Sequence, residues 1–365
     1  MKVTFRTDSS LKIGAGHVMR CLTLAIELRS RGHNCLFICR NLEGHLAQRI
    51  IAEKFDLRML PGPSSKTDLH FTDQNVPHAI WAEVPWRLDS EQTLANIIHT
   101  DWLVIDHYAL DKKWEKATTP HGAKLLVIDD LADRTHHCNL LLDQNLGRTA
   151  TDYDGLVPAQ CKRLIGPTFT LLRPEFQRLR SYSLSRRNKR LLHNILITMG
   201  GIDQADATSK VLEVLAASNL PSKGSITVVI GSKSPWLNKI HNLSKLLPIP
   251  TKVIVDSTDM GSLMLNADLA IGAAGGTAWE RLCLGLPSLF LTLADNQVAA
   301  AAAMETTKLA IQLGDIRVDG WQYRLNDFLS KINCTDPFSD FLQSPIDIID
   351  GLGCRRCVTI IESNS

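Results

Sequence analysis

His17, which directly follows a glycine hinge, is the side chain of this sequence best placed to carry out acid–base chemistry. The segment Gly14-Ala15-Gly16-His17 connects a predicted strand at residues 2–6 to a predicted helix at residues 18–31. The two glycines permit a tight turn and the close approach of a ligand to the backbone, and free N–H groups at a helix start attract phosphate. The imidazole would then face the sheet edge at which α/β proteins bind ligands. A histidine that only hydrogen-bonds a neighbouring loop is an equally good interpretation of this segment taken alone.

Charged residues around this hinge favour the catalytic interpretation. Arg6 and Asp8 lie at the end of the first strand, so a cation and a carboxylate would converge with the imidazole on one sheet edge. We expect Asp8 to hold the ring of His17 in one tautomer and to raise its basicity, as a general base requires. A further polar turn, Asp106-His107-Tyr108, ends a buried strand, where polar groups serve either a hydrogen-bond network or a ligand.

A glycine-rich turn in the second half of the chain has the features of a diphosphate site. A predicted strand at residues 269–271 leads through Gly275, Gly276 and Thr277 into a helix, which supplies unhindered N–H groups and a hydroxyl. Glu280 would either cap this helix or accept hydrogen bonds from the two hydroxyls of a ribose. The chain has no Gly-x-Gly-x-x-Gly and no Gly-Lys-Ser/Thr, which disfavours a nicotinamide site and a P-loop.

Two more turns are predicted to contact a substrate. Asn296 and Gln297 follow a predicted strand at residues 288–291, and their amides suit the hydroxyl or N-acetyl groups of a sugar. Asn296 as a simple cap of the next helix has equal weight. Gly200, Gly201 and Asp203 form another strand-to-helix turn, which we expect to open on the same cleft.

Length and hydrophobic periodicity predict two α/β domains. A chain of 365 residues exceeds the usual size of one core. Strands alternate with helices in both halves, which requires parallel sheets covered on both faces. We place the boundary in a polar stretch, giving a first Rossmann-like domain at residues 1–183 and a second at residues 184–365, whose tail crosses back to the first. Two such domains would face each other across a ligand cleft.

Composition disfavours several other functions. Forty basic and 38 acidic residues give a net charge of +2, too little to indicate a nucleic-acid partner. No apolar run is long enough to cross a bilayer and no signal peptide pattern is present, so we expect a cytoplasmic protein. Nine scattered cysteines indicate reduced thiols rather than a disulfide framework. Cys354-x-x-Cys357 lacks a second ligand pair, so we treat it as incidental and predict neither a metal nor a cofactor.

Taken together, these motifs resemble the PseG family. The resemblance runs from about residue 1 to residue 353 and rests on Gly14-Ala15-Gly16-His17-Val18-Met19-Arg20, Asp106-His107-Tyr108, Ile128-Asp129-Asp130-Leu131-Ala132-Asp133-Arg134, Leu142-Asp143-Gln144-Asn145, Gly200-Gly201-Ile202-Asp203 and Gly275-Gly276-Thr277-Ala278-Trp279-Glu280-Arg281. Members of that family are UDP-2,4-diacetamido-2,4,6-trideoxy-β-L-altropyranose hydrolases on the route to pseudaminic acid and flagellin glycosylation, related in fold to MurG-like GT-B glycosyltransferases. The resemblance implies a GT-B fold, His17 as the catalytic base, and UDP binding by Gly275, Gly276, Thr277 and Glu280.

The residues and the resemblance predict the same chemistry. Water attacks the anomeric carbon of a UDP-linked sugar, His17 takes its proton on the face opposite the diphosphate, and UDP leaves with inversion. Asp8 would orient the imidazole, Tyr108 would position the water, and the helix start at Gly276, with Arg6, would balance the charge of UDP without a metal. The further predicted substrate-binding residues are Gly14, Gly16, Arg20, Asp106, Asn145, Gly200, Gly201, Asp203, Asn296 and Gln297.

Three other functions stay open at this point. A MurG-like glycosyltransferase would use the same base on an acceptor hydroxyl, and a UDP-sugar 2-epimerase would need acidic residues near the anomeric centre. A non-catalytic nucleotide-sugar binding protein would need no imidazole. In each case the expected partner is a small-molecule UDP-sugar, and no obligate protein partner is evident.

Overall fold

Two units, each built on its own parallel sheet, make up the chain. The computed structural model describes residues 1–63, 76, 78–187, 192–218, 220, 224–332 and 346–364. The first unit comprises Met1–Leu171 together with Leu352–Ser365, and the second comprises Leu172–Gly351.

The first unit has a seven-stranded sheet with the order β3-β2-β1-β4-β5-β6-β7, in which neighbouring strands are parallel. Its strands are β1 (Lys2–Thr7), β2 (Asn34–Arg40), β3 (Asp56–Leu60), β4 (Trp102–Asp106), β5 (Lys124–Ile128), β6 (Leu140–Asp143) and β7 (Lys162–Ile165). Its helices are α1 (Gly16–Ser30), α2 (Ala47–Ala52), α3 (Trp86–Asn96), α4 (Lys112–Thr118) and α12 (Gly353–Ser363), with short 3₁₀ turns at Ala79–Ala82, Ala150–Tyr153 and Pro167–Phe169.

The second unit has a six-stranded sheet with the order β10-β9-β8-β11-β12-β13, again with parallel neighbours. Its strands are β8 (Asn194–Thr198), β9 (Ser225–Ile230), β10 (Thr251–Val255), β11 (Leu269–Ala273), β12 (Ser288–Thr292) and β13 (Ile311–Asp315). Its helices are α5 (Pro174–Arg186), α6 (Ala207–Ala216), α7 (Leu237–Ser244), α8 (Met260–Asn266), α9 (Gly276–Cys283), α10 (Val298–Thr306) and α11 (Trp321–Ile332), with 3₁₀ turns at Asp295–Gln297 and Ile346–Ile348.

Strand order determines which turns become neighbours. The central strands β4 and β11 are buried along their whole length, as expected for parallel strands covered on both faces. In the first sheet the order reverses between β1 and β4, and in the second between β8 and β11. Doubly wound sheets bind ligands at the carboxyl ends of strands beside such a reversal. The turn that carries His17 follows β1, and the Gly275-Gly276 turn follows β11.

The division into units differs from the predicted ranges of 1–183 and 184–365. Residue 183 lies inside α5, where the Ser183 hydroxyl donates to the carbonyl oxygen of Leu284 at 2.7 Å. Arg187 donates to the carbonyl oxygens of Met264, Ala267 and Leu284. These hydrogen bonds attach α5 to the second unit, so the division falls between Leu171 and Leu172.

The C-terminal helix α12 belongs to the first unit. Its buried residues Cys354, Cys357 and Val358 join the core formed by α1 and the first sheet. Gly353 packs so tightly on residues 169–170 that a Cβ there would overlap their backbone. Cys354-x-x-Cys357 therefore packs in the core, and burial raises the pKa of the Cys357 thiol to about 12. Each cysteine in the described residues is a buried free thiol, and no helix within those ranges is long and apolar enough to span a membrane.

Candidate active site

The turn between β1 and α1 presents His17 at the sheet edge. Gly14 has a φ of +81°, which favours glycine, and its N–H donates to the Ser10 carbonyl oxygen at 2.8 Å. A Cβ on Gly14 or Gly16 would meet no atom within 4 Å. Helix α1 begins at Gly16, so His17 occupies its first turn. The hinge therefore leaves open space beside its own backbone, while His17 itself is buried, with 6% of its surface exposed.

Asp106, at the end of β4, orients the imidazole. Nδ1 of His17 lies 2.6 Å from Oδ1 of Asp106. Because a carboxylate only accepts hydrogen bonds, Nδ1 carries the proton and donates it. The lone pair of the neutral ring is then on Nε2, which is the nitrogen that can accept a proton from a substrate or a water.

Arg20 holds Asp106 in place from one turn along α1. Its Nε and Nη2 atoms donate to the two carboxylate oxygens of Asp106 at 2.5 and 2.6 Å, and its Nη1 donates to Asp130 at 2.8 Å. Burial opposes ionisation of Asp106, but the charges and hydrogen bonds of Arg20 and His17 outweigh it and hold the pKa of this carboxyl below its usual range. Asp106 is therefore a carboxylate at neutral pH, ready to stabilise a positive charge on His17.

Asp8 and Arg6 do not fill their predicted roles. Arg6 pairs with Asp8 at 2.7 Å and with Asp89 at 2.6 Å, and all three side chains are fully buried. Oδ1 of Asp8 also accepts from the backbone N–H of Arg40 at 2.6 Å. Asp8 thus directs its carboxylate into the interior and does not orient His17, and the enclosed Arg6 guanidinium is not available to a diphosphate.

His107 completes the burial of Asp8. Its Nδ1 accepts from the N–H of Ala109 at 3.1 Å, so the ring proton is on Nε2, which lies 3.3 Å from Oδ2 of Asp8. Burial lowers the pKa of His107 below its usual value, although Asp8 opposes this shift. The polar turn at residues 106–108 therefore divides its side chains: Asp106 faces His17, and His107 faces the interior.

Two aromatic rings lie beside the imidazole, and a third packs against both of them. Tyr108 meets His17 edge-on, with 4.5 Å between ring centroids. Trp81 stacks on Tyr108 at 5.4 Å and lies 6.3 Å from His17, and His78 contacts both Trp81 and Tyr108. Sequence reasoning selected Tyr108 but missed His78 and Trp81, because no motif or periodic pattern marks the turn that carries them.

Asn145 follows β6 and lies on the same sheet edge. Its Nδ2 donates to the carbonyl oxygen of Asp130 at 3.4 Å, and its backbone N–H donates to Asp143 at 2.9 Å. Burial raises the pKa of Asp143 to about 7. The structure thus brings Asn145 next to Asp130, the second carboxylate that Arg20 binds.

In the second unit, the turn from β11 into α9 has an exposed backbone. Gly275 is the N-cap, no side chain caps the helix, and a Cβ on Gly276 would meet no atom within 4 Å. Oε1 of Glu280 accepts from Arg173 at 3.1 Å, whereas Oε2 is buried without a partner. Burial raises the pKa of Glu280, and Arg173 partly offsets this shift. Glu280 is not a helix cap, and its unpaired oxygen is suited to a hydroxyl donor.

Gln297 lies beside this turn, whereas Asn296 does not contact it. Oε1 of Gln297 accepts from the N–H of Leu293 at 3.0 Å, and its Nε2 is 3.4 Å from the position of a Cβ on Gly275. Asn296 is exposed and does not cap α10. Of the two amides, the structure associates only Gln297 with the glycine turn.

The turn after β8 contains a helix cap. Both carboxylate oxygens of Asp203 are occupied, since they accept from the backbone N–H groups of Ala207 and Thr208 at 2.9 and 2.8 Å. Asp203 is buried and caps α6, so its predicted role as a substrate ligand is replaced by a structural one. Gly200, with a φ of +99°, and Gly201 leave the backbone of this turn open.

In the described ranges no group of three or more His, Cys, Asp or Glu residues is arranged to hold a metal ion. Metal independence stays a prediction, to be tested with a chelator.

Comparison with known proteins reveals relatives along most of the chain. No family model matches it. The chain is 30% identical over 307 residues to the UDP-2,4-diacetamido-2,4,6-trideoxy-β-L-altropyranose hydrolase of Campylobacter jejuni, covering 82% of the chain and 95% of that protein. It is 34% identical over 152 residues to the spore coat polysaccharide biosynthesis protein SpsG of Bacillus subtilis, covering 41% of the chain and 43% of SpsG.

Solved structures similar to this one include glycosyltransferases. MurG of Acinetobacter baumannii aligns with a TM-score of 0.63 at 14% identity over 99% of both chains. The spinosyn rhamnosyltransferase SpnG, solved with thymidine diphosphate, aligns with a TM-score of 0.66 at 14% identity over 99% of this chain and 100% of that one. At these identities the likeness shows the fold, which is GT-B.

Proposed function

Because this chain belongs to the family of UDP-2,4-diacetamido-2,4,6-trideoxy-β-L-altropyranose hydrolases, we propose that His17 is the general base of its reaction with such a UDP-sugar. The observation that carries this proposal is the hydrogen bond from Nδ1 of His17 to Asp106. It leaves the basic Nε2 for a water molecule and provides a negative charge for the imidazolium that forms.

The reaction is a displacement at the anomeric carbon. Nε2 of His17 removes a proton from water as the oxygen bonds to that carbon, and the bond from the carbon to the diphosphate oxygen breaks. UDP leaves with the bonding electron pair. Since a single displacement brings the nucleophile in opposite the leaving group, the product has the inverted anomeric configuration. Tyr108, edge-on to His17, is the proposed partner that positions the water.

UDP binding is assigned to the turn into α9. The N–H groups of Gly276 and Thr277 lie at a helix start without a side-chain cap and can donate to the diphosphate. The unpaired Oε2 of Glu280 accepts from a ribose hydroxyl, while Arg173 holds the other oxygen. Charge on the leaving group is balanced by these fixed dipoles, and no metal is required by this scheme.

A glycosyltransferase reaction is the second candidate. The specific observation in its favour is that the similar solved structures include glycosyltransferases. The base and the UDP turn would be unchanged, and a sugar or lipid hydroxyl would replace water. Cytoplasmic location and the lack of an obligate protein partner stay predictions under either reaction.

The test follows UDP release and the fate of the sugar. The purified protein is incubated with UDP-2,4-diacetamido-2,4,6-trideoxy-β-L-altropyranose and EDTA, and the first-formed anomer is identified by NMR. We expect free sugar with inverted configuration, and a loss of kcat of about 10²–10⁴-fold in His17→Gln, the usual contribution of a general base. Full activity in this variant contradicts the assignment of His17, and UDP release that occurs only with an added acceptor alcohol, with the sugar joined to that alcohol, indicates transfer.

Glu280→Gln is the matched variant in the second unit. It keeps the size of the side chain but removes the charge, so UDP binding should weaken while kcat at saturating substrate changes less. Isothermal titration with UDP measures the first effect, and initial rates measure the second. Unchanged UDP affinity would remove Glu280 from the proposed nucleotide site.

A further inference from the structure

The aromatic residues beside His17 form a wall, of which the proposed chemistry uses only Tyr108. Trp81 stacks on Tyr108 with an interplanar angle of 28° and meets His17 edge-on at 6.3 Å. His78 lies 4.7 Å from Trp81 and 5.4 Å from Tyr108. We call His78, Trp81 and Tyr108 the aromatic wall. Tyr108 is buried, whereas Trp81 and His78 remain partly exposed despite these contacts.

Trp81 of the aromatic wall lies on the 3₁₀ turn at Ala79–Ala82, whose residues differ in their exposure to solvent. Ala79 and Ala82 of the 3₁₀ turn are buried, whereas Ile80 is 54% exposed and points to solvent. Glu83 ends the turn with a φ of +54° and pairs with Lys12 at 3.0 Å, in the loop that leads to His17. The turn is therefore attached to the same loop that carries the base, and Trp81 has a defined place beside it.

A sugar bound for attack on the side of His17 that faces Trp81 would lie against this wall. Asp106 occupies Nδ1 of His17, so only Nε2 can accept the proton of the attacking water. That water lies about 3 Å from Nε2, and the anomeric carbon lies roughly 3 Å beyond it. The ring centre of Trp81 is 6.3 Å from that of His17, which is near enough for Trp81 to contact a sugar ring bound on its side of the imidazole.

The chemistry of the wall favours methyl groups over hydroxyls. Aromatic faces pack well against C–H groups and offer a hydroxyl only a weak acceptor, so a hydroxyl buried there loses hydrogen bonds to water. The sugar named for the Campylobacter jejuni relative has a methyl group at C6 in place of a hydroxymethyl group, and further methyl groups in its two acetamido substituents.

We propose that Trp81, supported by Tyr108 and His78, is a specificity-determining residue that selects UDP-sugars with a C6 methyl group over their 6-hydroxylated counterparts. The inference rests on the proposed function, since it takes His17 as the base and a UDP-sugar as the substrate. The proposal adds Trp81 to the sugar site, where it would discriminate between substrates and would not transfer a proton.

The experiment uses a matched pair of substrates. One is UDP-2,4-diacetamido-2,4,6-trideoxy-β-L-altropyranose, and the other is its synthetic analogue with a hydroxyl on C6 and no other change. Values of kcat and KM are measured for both in the wild type, Trp81→Ala, Trp81→Phe and the control Ile80→Ala, with UDP affinity and thermal stability measured in parallel.

We expect the wild type to prefer the 6-deoxy substrate by about 10–100-fold in kcat/KM, the range for one group in an apolar pocket. Trp81→Ala should raise KM for the 6-deoxy substrate about tenfold and bring the preference close to unity. Trp81→Phe should retain most of the preference because it keeps an aromatic face, and Ile80→Ala should match the wild type. UDP affinity should be the same in all four proteins.

Other outcomes overturn the inference or the function on which it rests. An unchanged preference in Trp81→Ala overturns the inference, and so does an equal loss on both substrates, which would indicate support of His17 alone. A wild type that hydrolyses neither substrate overturns the proposed function and the inference with it. Hydrolysis with an intact preference in the variant leaves the function standing and overturns only the role of Trp81.

Discussion

Two clusters of charged side chains lie near the carboxyl ends of β1 and β4, and they differ in their exposure to solvent. The first, which we call the arginine cluster, consists of Arg6, Asp8, Arg40, Asp89 and His107. The second, the histidine cluster, consists of His17, Arg20, Asp106 and Asp130. Both are built from arginine–carboxylate pairs with N–O distances of 2.5 to 2.8 Å. The arginine–carboxylate pairs of the arginine cluster are fully buried, whereas the histidine cluster keeps a small exposed fraction, which is 7% for the side chain of His17, 11% for Arg20 and 15% for Asp130.

The positive and negative charges of the arginine cluster balance each other. Two guanidinium groups face two carboxylates, and His107 is neutral at pH 7 because burial lowers its pKa. Trp114 donates to Asp89 at 2.9 Å, and Arg40 donates to Gln92 and to the Pro61 carbonyl oxygen. Since Arg6 is on β1, Arg40 ends β2 and Asp89 is on α3, the cluster attaches α3 to the sheet.

The histidine cluster lacks one positive charge. Among the residues that the structure describes, Arg20 is the arginine that pairs with both Asp106 and Asp130. A proton on His17 would balance the second carboxylate, so the cluster is arranged to stabilise the imidazolium that a general base becomes. Similar residue types on one sheet edge can thus either fix the fold or accept a proton, according to whether their charges already balance.

Asp106→Asn should give the largest effect, and it tests directly whether the negative charge of Asp106 activates His17. The amide removes the negative charge and permits the tautomer with its proton on Nε2, so kcat should fall by about 10³–10⁴-fold, as for the equivalent change in a serine protease triad. Initial UDP release across pH 5–9 measures the effect. Urea unfolding separates it from any loss of folded protein.

Asp130→Asn is the control for that substitution. Asp130 is 15% exposed in its side chain and contacts Arg20 but not His17. We expect kcat to change by about fivefold or less, the size of a partly exposed ion pair. Equal losses in the two variants would mean that the charge of the whole cluster, and not the bond to Nδ1, activates His17.

Arg6→Met tests whether the arginine cluster stabilises the fold. It leaves Asp8 without its guanidinium partner and Asp89 with Arg40 alone, both in the interior. Breaking a buried pair from one side costs about 3–5 kcal/mol in the free energy of unfolding. Urea unfolding should show this loss, while kcat per folded molecule stays near the wild-type value. A large drop in kcat with normal stability would instead support the predicted role of Arg6 in substrate binding.

The roles of Asp8 and Asp106 show what the sequence could not reveal. Sequence proximity made Asp8 the predicted partner of His17, but the parallel sheet places the end of β4 next to the end of β1. The order of strands comes from long-range pairing, which no local pattern encodes. The Asp106-His107-Tyr108 turn was predicted to serve either a hydrogen-bond network or a ligand, but the opposite directions of its first two side chains were not predictable.

Elements at the edges of the sheets were also missed. The alternation of strands and helices predicted the central strands, because these are buried and continuously apolar. Strands β3 and β13 have mixed exposure and lack such a pattern, and the polar helix α5 resembled a linker. Trp81 lies outside every recognisable motif, so only the folded chain brings it to His17.

Asp8→Asn should destabilise the protein less than Arg6→Met does, and its effect should depend on pH. Burial opposes ionisation of Asp8, but Arg6 and His107 hold its pKa below the usual range. A folded-state pKa below the unfolded value near 4 contributes stability that is complete above about pH 5 and is lost as the pH falls further. The variant should therefore be about 2 kcal/mol less stable than the wild type at pH 7, and the difference should shrink from pH 5 to pH 3. Urea unfolding at these pH values measures it, with Asp154→Asn, whose side chain is 65% exposed, as the control with little effect. A difference that stays constant on acidification would show that Asp8 contributes through packing and not through its charge.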